Sequence, residues 1–380
     1  MRSPHHFLLR VCARALNACE ASSFCDRLGE HSHFFWNSMT KSTARLENMS
    51  DSELLSLRFC DLPLRLKGSV IEQRACSVFD ELSERGIRFR PTLWISEQWY
   101  NPDDVVGFAV PFYLLHPRLI RLERKMMLEA EGASLDEALS ILRHETGHAV
   151  DEAFQLRKMR EYRKLFGSPQ RAYPTDYVAD SDSRDFVQHL NAWYAQSHPV
   201  EDFAETFAVW LRSKNGWRRK YRDWPAYEKL SAVDTWMRNL RDVEPEIKPR
   251  RIANELRDSK RTLREHYDEK RDFYAIDADD EFDGALLRIF EASGKGSHAR
   301  RQMSATALLT AYRTRLRRRI ARPLGVPAYV VDQVLRQLVH RARILKLRQT
   351  RSKAETVKKV SRLVSRATVS IIRNSPRLPL

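Results

Sequence analysis

The apolar positions of the chain change from a helical to a strand-like period near residue 86. Up to Glu84 they recur at the spacing of one helix face, and Gly86 then stands where the end of a helix is expected. In residues 87–95 apolar and polar residues roughly alternate, and a second apolar run extends from Val105 to Leu115. The pattern predicts one helix followed by two strands.

Two further helices are marked by their first turns as well as by their apolar faces. Ser134, with Glu137 three residues later, has the spacing of a capping box, and the helix predicted from it continues to about residue 156. Pro199 stands in the first turn of another helix, which runs to about Ser213. Residues 157–197 between them are polar and rich in turn-forming residues, which predicts a long loop of the kind that is often functional.

The positive charge is concentrated in the last third of the chain. The formal net charge is +16; residues 251–380 hold 30 Lys+Arg against 14 Asp+Glu, and the first 250 residues balance at 36 of each. Residues 301–380 contain 20 Lys+Arg, and their acids are Asp332 and Glu355. Apolar residues still recur near 328–346, which predicts a packed amphipathic helix. The basic surface could bind nucleic acid, ribosomes or anionic lipid through attraction to phosphate groups, and the alternative is a solvated basic face of a helical subdomain.

These patterns divide the chain into three predicted regions of an α+β protein. Residues 1–48 show no periodicity and are treated as an N-terminal extension that can lie outside the fold. Residues 49–245 are predicted to form a domain with a small mixed sheet, an amphipathic helix that begins at Ser134 and a following helical part. Residues 246–380 are predicted to form a basic, mostly helical C-terminal region, with a linker at residues 292–297.

Composition indicates a soluble protein of a reducing compartment. No apolar run reaches the roughly 18 residues that a membrane-spanning helix needs. The five cysteines include no Cys-x-x-Cys pair, which argues against a disulfide framework and against a cysteine-rich zinc site. We therefore expect a cytoplasmic location and no membrane span. The cysteines are Cys12, Cys19, Cys25, Cys60 and Cys76.

The clearest chemical signal is the stretch from His144 to His148, with the sequence His-Glu-Thr-Gly-His, inside the helix that begins at Ser134. Two histidines four residues apart share one helix face and can converge on one zinc ion. Glu145 then stands beside the open position, where a carboxylate can take a proton from a zinc-activated water. The alternative is a surface helix with two solvated histidines.

The third protein ligand is not fixed by this motif. Asp151 and Phe154 occupy the positions where a metzincin would have glycine and a third histidine, so that class fails. Glu201 and Glu205 are four residues apart on the helix that begins at Pro199, and they share one face. One of them can bind zinc while the other hydrogen-bonds a ligand histidine, unless the pair is a solvated face.

The segment from His198 to Thr206 resembles a His-Pro-x-Glu-Asp-aromatic-Ala-Glu-Thr segment of the bacterial putative zinc-binding metallopeptidase family. The stretches from His144 to Asp151 and from Glu201 to Glu205 are also similar to stretches in the catalytic domain of anthrax lethal factor, a gluzincin-type peptidase. This resemblance implies that Glu201 is the zinc ligand and that Glu205 holds a ligand histidine. It also implies that Tyr194, seven residues before Glu201, stabilises the oxyanion. The alternative is a packing or solvated role for Tyr194.

The resemblance implies a zincin-like catalytic domain and a zinc-dependent metallopeptidase that hydrolyses a peptide or protein substrate, with Zn²⁺ as cofactor and Glu145 as general base. In such folds an extended substrate pairs with a sheet edge, and the strand within Val105–Leu115 is either that edge or a buried core strand. One alternative function is a nucleic-acid or ribosome-associated binding protein with a structural or vestigial zinc site. Another is a peptidase kept latent by residues 157–197.

Overall fold

The computed structural model describes residues 46–174, 179–213, 215–250, 252, 256–276, 280–292 and 303–374. These residues form a mainly helical structure with two small two-stranded sheets, which confirms the α+β class. Among the described helices, none is long and apolar enough to cross a membrane. Residues 293–297 of the predicted linker at 292–297, and most of the predicted N-terminal extension, lie outside the described residues, while Ala292 belongs to a short strand.

The helices and strands follow one another along the chain in three groups. The first contains α1 (Asp51–Ser56), α2 (Val70–Glu84), β1 (Thr92–Ser96), β2 (Gly107–Pro111), α3 (Pro117–Met127) and α4 (Leu135–Phe154). The second contains α5 (Arg160–Phe166), α6 (Pro199–Arg212), α7 (Gly216–Lys220) and α8 (Ala226–Asn239). The third contains α9 (Leu263–Phe273), α10 (Asp283–Leu287), β3 (Glu291–Ala292), α11 (Ala305–Leu324), α12 (Ala328–Ile344), β4 (Leu347–Arg348) and α13 (Lys353–Asn374). Short 3₁₀ turns lie at Phe59–Asp61, Phe112–Leu115, Leu156–Lys158 and Asn191–Gln196.

The first sheet pairs β1 and β2 in parallel, with Thr92 opposite Gly107. All of β2 is buried, and the Ala109 N–H donates a hydrogen bond of 2.8 Å to the carbonyl of Tyr100. This bridge adds a second neighbour to β2, so β2 is a core strand rather than an open edge for a substrate. The strand is also shorter than its apolar run, because the chain turns into a 3₁₀ helix directly after Pro111.

Most of the buried apolar side chains fall into two clusters. The larger one extends from Leu46 to Tyr267 and includes Tyr329, and the other extends from Phe282 to Ile372. Leu46 lies before the predicted domain start, and Tyr267 lies after the predicted domain end at residue 245, yet both belong to the larger cluster. The predicted boundaries therefore separate residues that pack together, and the division into domains stays a prediction.

A buried carboxylate holds the C-terminal helices together. Asp332 on α12 is inaccessible to solvent and accepts hydrogen bonds from three arginines. Arg313 Nε and Arg317 Nη1 of α11 lie 2.8 and 3.0 Å from Asp332 Oδ1, and Arg336 Nε lies 3.1 Å from Asp332 Oδ2. This network fixes α11 against α12 through charge-assisted bonds.

Candidate metal centre

Helix α4 carries the two predicted histidine ligands on one buried face. Its N-cap, Ser134, accepts a hydrogen bond of 3.3 Å from the Glu137 N–H, as the sequence predicts. The side chains of His144 and His148 lie one turn apart, with ring centroids separated by 4.7 Å. Both histidines are buried, at 3% and 8% exposure. They are therefore not the solvated pair of a surface helix.

Close packing of α6 against α4 brings the two glutamates to these histidines. The contact is at Gly147, where an added Cβ would lie 3.0 Å from Ala204 Cα and 3.1 Å from Phe207 Cδ1. Glycine allows the two helix backbones to approach this closely. Glu201 and Glu205, on either side of Ala204 along α6, consequently face His144 and His148.

We expect a Gly147→Val substitution to separate α4 from α6. The larger side chain meets helix backbone, so we expect about 1–3 kcal/mol of lost stability together with weaker metal binding. Chemical denaturation and a zinc titration measure the two effects. Gly284→Val is the control, because an added Cβ there meets nothing closer than 3.9 Å. Unchanged stability and zinc affinity in Gly147→Val would contradict this role for Gly147.

Three potential ligand atoms converge between the two helices. His144 Nε2 lies 3.0 Å from His148 Nε2 and 3.0 Å from Glu201 Oε2, and His148 Nε2 lies 3.2 Å from the same Glu201 oxygen. Ligand atoms on one tetrahedral zinc, at bond lengths of about 2.0–2.1 Å, lie about 3.3 Å apart. Within the described residues, these three side chains form the group that could hold a metal ion.

Glu205 lies on the far side of His144 from this convergence point. Its Oε1 is 2.9 Å from His144 Nδ1, and its Oε2 accepts a hydrogen bond of 2.8 Å from the Leu190 N–H. In the neutral imidazole that a metal requires, a proton on Nδ1 directed at Glu205 would leave the lone pair of His144 Nε2 pointing toward His148 and Glu201. Glu205 is fully buried and occupies the position predicted for a group that orients a ligand histidine.

The electrostatic field of the site favours a cation. Burial opposes protonation of His144, but the carboxylates of Glu201 and Glu205 outweigh burial and raise the pKa of His144 to about 10. Burial also opposes ionisation of Glu201, but His148 and His144 outweigh it and hold the pKa of Glu201 well below its usual range. Two buried carboxylates around these imidazoles therefore attract positive charge, whether protons or a metal ion.

A cavity of about 370 Å³ opens beside the three ligand atoms. Glu145 and Tyr194 both line it, so the structure brings the two residues predicted for catalysis to the same space as the ligand atoms. The ring of Tyr194 lies 5.6 Å from the ring of His144. The cavity leaves room for a substrate group next to the site, as a catalytic metal centre requires.

The 3₁₀ turn Asn191–Gln196, which carries Tyr194, packs against the C-terminal end of α11. An added Cβ at Gly325, the residue that ends α11, would lie 2.1 Å from Ala192 Cβ. Within the turn, Ala192 and Trp193 have positive φ angles of 59° and 53°. The wall of the cavity at Tyr194 thus rests on the basic C-terminal helices.

Comparison with known families supports the chemistry of these residues. Residues 124–218 match the model of the family described as "Putative zinc-binding metallo-peptidase". The predicted family resemblance is confirmed. The matched stretch contains every residue predicted for the site. No solved structure is significantly similar to the chain.

Within the stretch that matches the family model, Tyr173 is a site residue that the sequence analysis missed. Its hydroxyl donates a hydrogen bond of 2.8 Å to Glu201 Oε1, the carboxylate oxygen that does not face the histidines. Its ring stacks on His198, the N-cap of α6, at 3.8 Å between centroids. Tyr173 belongs to the predicted loop of residues 157–197, where no periodicity or motif spacing marks it, whereas Tyr194 is marked by its spacing from Glu201.

We expect Tyr173→Phe to weaken zinc binding about 10- to 100-fold, because Glu201 loses the hydrogen bond that fixes its orientation. Competition with a chromophoric chelator measures the dissociation constant. Tyr162→Phe is the matched control, since the Tyr162 hydroxyl has no hydrogen-bond partner among the described residues. Equal affinities in the two variants would show that Tyr173 does not orient Glu201.

Proposed function

We propose that the chain is a zinc-dependent metallopeptidase of the gluzincin type, with a zincin-like catalytic domain. In this proposal His144, His148 and Glu201 bind zinc and Glu145 is the general base. The observation that carries it is the convergence of two imidazole nitrogens and one carboxylate oxygen within 3.0–3.2 Å beside a cavity. The match of residues 124–218 to a metallo-peptidase family supports the same conclusion.

The donor set fits zinc. Two neutral imidazoles and one carboxylate are the protein ligands of several catalytic zinc sites, which keep a fourth position open. When bound, zinc would act as a Lewis acid on the scissile carbonyl and lower the pKa of water toward about 7. A structural zinc site would instead use four protein ligands. Within the described residues the group that could hold a metal has three members, which favours the catalytic arrangement.

Side chains of the chain would perform the proton transfers and stabilise charge. Glu145 is adjacent to a ligand and lines the cavity, so its carboxylate can take the proton of the attacking water and deliver it to the leaving amine. Tyr194 lines the same cavity and can donate a hydrogen bond to the developing oxyanion, a contribution of roughly 3 kcal/mol in other enzymes. Glu205 and Tyr173 would hold His144 and Glu201 in place.

Elemental analysis of the purified chain tests the proposed metal site. We expect about one equivalent of zinc in the wild type and a sharp loss in His148→Ala and in Glu201→Ala, since each removes one of three ligands. His340→Ala and Glu228→Ala replace exposed residues of the same types and should keep their zinc. Circular dichroism of all variants separates loss of metal from loss of fold.

The proposed function fails if the folded wild type holds no zinc after preparation without chelators and cannot be reloaded. Zinc that remains in both ligand variants would place the metal elsewhere and would also overturn the assignment. With zinc established, mass spectrometry of a peptide library before and after incubation tests for hydrolysis. Cleavage that appears only after proteolytic nicking within residues 157–197 would indicate a latent peptidase.

A further inference from the structure

Helix α11 carries two sets of arginines with different surroundings. Arg313 and Arg317 point toward α12 and are held by the buried carboxylate of Asp332. All residues of the other set are exposed, and we call this set the arginine stripe. The arginine stripe consists of Arg315, Arg318, Arg319 and Arg322.

The spacing of the arginine stripe places four positive charges on one face of the helix. The positions follow one another at intervals of three, one and three residues, so they share a face and cover about 10 Å of helix axis. In the described part of the chain, no carboxylate lies within ion-pair distance of Arg315, Arg318 or Arg319. Like charges one turn apart on a helix repel each other. At these three arginines the folded chain therefore carries a concentrated positive charge that no carboxylate of the described residues neutralises.

The surroundings of the stripe reinforce its charge. Residues 303–374 contain 18 Lys+Arg, and their acids are the buried Asp332 and the exposed Glu355. Between residues 305 and 324 no large apolar side chain is exposed. A helix that lies on a membrane needs such apolar side chains to enter the lipid, so the stripe does not have the character of a membrane-binding face.

The stripe ends beside the candidate active site. Arg322 Nε lies 3.4 Å from Asn191 Oδ1, in the turn that also carries Tyr194. The end of α11 at Gly325 packs against Ala192 in the same turn. A ligand that follows the stripe toward Arg322 would therefore arrive at the turn that carries Tyr194, one of the residues that line the cavity.

We propose that the arginine stripe binds the phosphate backbone of a nucleic acid. Arginine rather than lysine occupies all four positions, and its planar guanidinium donates two parallel hydrogen bonds to a phosphate. The four guanidinium groups are exposed, and Arg315, Arg318 and Arg319 have no carboxylate within ion-pair distance in the described part of the chain. Arg322, by contrast, lies near enough to Glu137 to oppose the rise that burial causes in the pKa of that carboxyl group. Such a row matches a regularly spaced chain of phosphates. Binding of this kind depends on charge and not on base sequence. It does not require the proposed peptidase activity.

Fluorescence anisotropy of a short labelled single-stranded RNA, and of a DNA duplex of the same sequence, tests the proposal at several salt concentrations. We expect wild-type binding with a dissociation constant of about 10⁻⁶ M or tighter at low salt. The logarithm of the affinity should fall with the logarithm of salt with a slope of about −3 for the duplex and about −2.5 for the single strand, as expected for three or four phosphate contacts. The variant Arg315→Glu/Arg318→Glu/Arg319→Glu should lose at least about tenfold in affinity and most of the slope.

The chain offers a control with the same geometry. Arg160, Arg163 and Lys164 are exposed on α5 at the same relative spacing, and Arg160→Glu/Arg163→Glu/Lys164→Glu makes the same change in net charge. We expect this control to change the affinity by less than about threefold, because the net-charge effect alone is weak and screened. Zinc content and circular dichroism of both triple variants, compared with wild type, show that each remains folded.

Three results would overturn the proposal. The first is a wild type that binds neither nucleic acid at low salt. The second is an equal loss of affinity in the two triple variants, which would mean that net charge and not the stripe attracts the ligand. The third is stronger binding to a polyglutamate peptide or to anionic vesicles than to either nucleic acid. None of these results affects the zinc measurements, so failure of this proposal is distinguishable from failure of the proposed peptidase function.

Discussion

A Glu145→Gln variant is expected to retain one equivalent of zinc and to lose about two to four orders of magnitude in peptide hydrolysis. Glutamine preserves the shape of the side chain in the cavity but cannot accept the proton of the attacking water. The proposed ligand atoms belong to His144, His148 and Glu201, so the substitution leaves that group of side chains intact. Zinc content and kcat/KM, determined on the same preparation with a cleaved library peptide, give the two values.

A control for this variant comes from the same helix. Glu137 is an exposed residue in the first turn of α4, and Glu137→Gln should hydrolyse the peptide at close to the wild-type rate. If Glu145→Gln kept its zinc and also the wild-type rate, Glu145 would not be the general base. If it lost its zinc, Glu145 would contribute to metal binding, and the ligand set would need revision.

We expect Asp332→Ala to destabilise the chain by about 3 kcal/mol, because it leaves the partly buried Arg313 and Arg317 without their anion. These arginines are 30% and 14% exposed, so solvent can compensate only part of the loss. Chemical denaturation measures the change in free energy of unfolding. Glu355→Ala is the control, since Glu355 is 50% exposed where it pairs with Arg351 and Lys359, and we expect at most about 0.5 kcal/mol for it.

The contribution of Asp332 should also depend on pH. Burial opposes its ionisation, but Arg313 and Arg317 outweigh burial and hold the pKa of Asp332 below the ordinary value of 3.8. A carboxyl group with a lowered pKa in the folded chain stabilises it at pH values above the unfolded pKa, and this stabilisation is lost as the pH falls through the folded pKa. The difference in stability between wild type and Asp332→Ala should therefore shrink below about pH 4. A difference that stayed constant down to pH 2 would contradict the assignment.

The part of the site that depends on helix periodicity is predictable from sequence. His144 and His148, like Glu201 and Glu205, are pairs four residues apart, and a helix places such pairs on one face regardless of the rest of the fold. The position of Gly147 at the helix contact and the hydrogen bond from Tyr173 are not predictable in this way. Both depend on how distant segments pack, and the local pattern contains no trace of that packing.

In the fold as well, features that follow from the local pattern are predictable from sequence, and features that depend on the packing of distant segments are not. The run from Val105 to Leu115 is apolar throughout, and the pattern alone does not show that the strand ends at Pro111 or that Tyr100 covers one of its flanks. The change in charge near residue 250 describes the outer surface. It does not reveal that Tyr267 packs into the first cluster, because the membership of a core depends on buried faces.

The turn that carries Tyr194 contains two consecutive non-glycine residues in the left-handed conformation, Ala192 and Trp193. Each costs of order 1 kcal/mol relative to ordinary backbone, so the turn keeps this form only while its neighbours hold it. The neighbour on its outer side is the end of α11 at Gly325. Packing against the C-terminal helices thus helps to stabilise a strained backbone conformation in this turn. The position of Tyr194 at the cavity therefore depends in part on the docking of those helices.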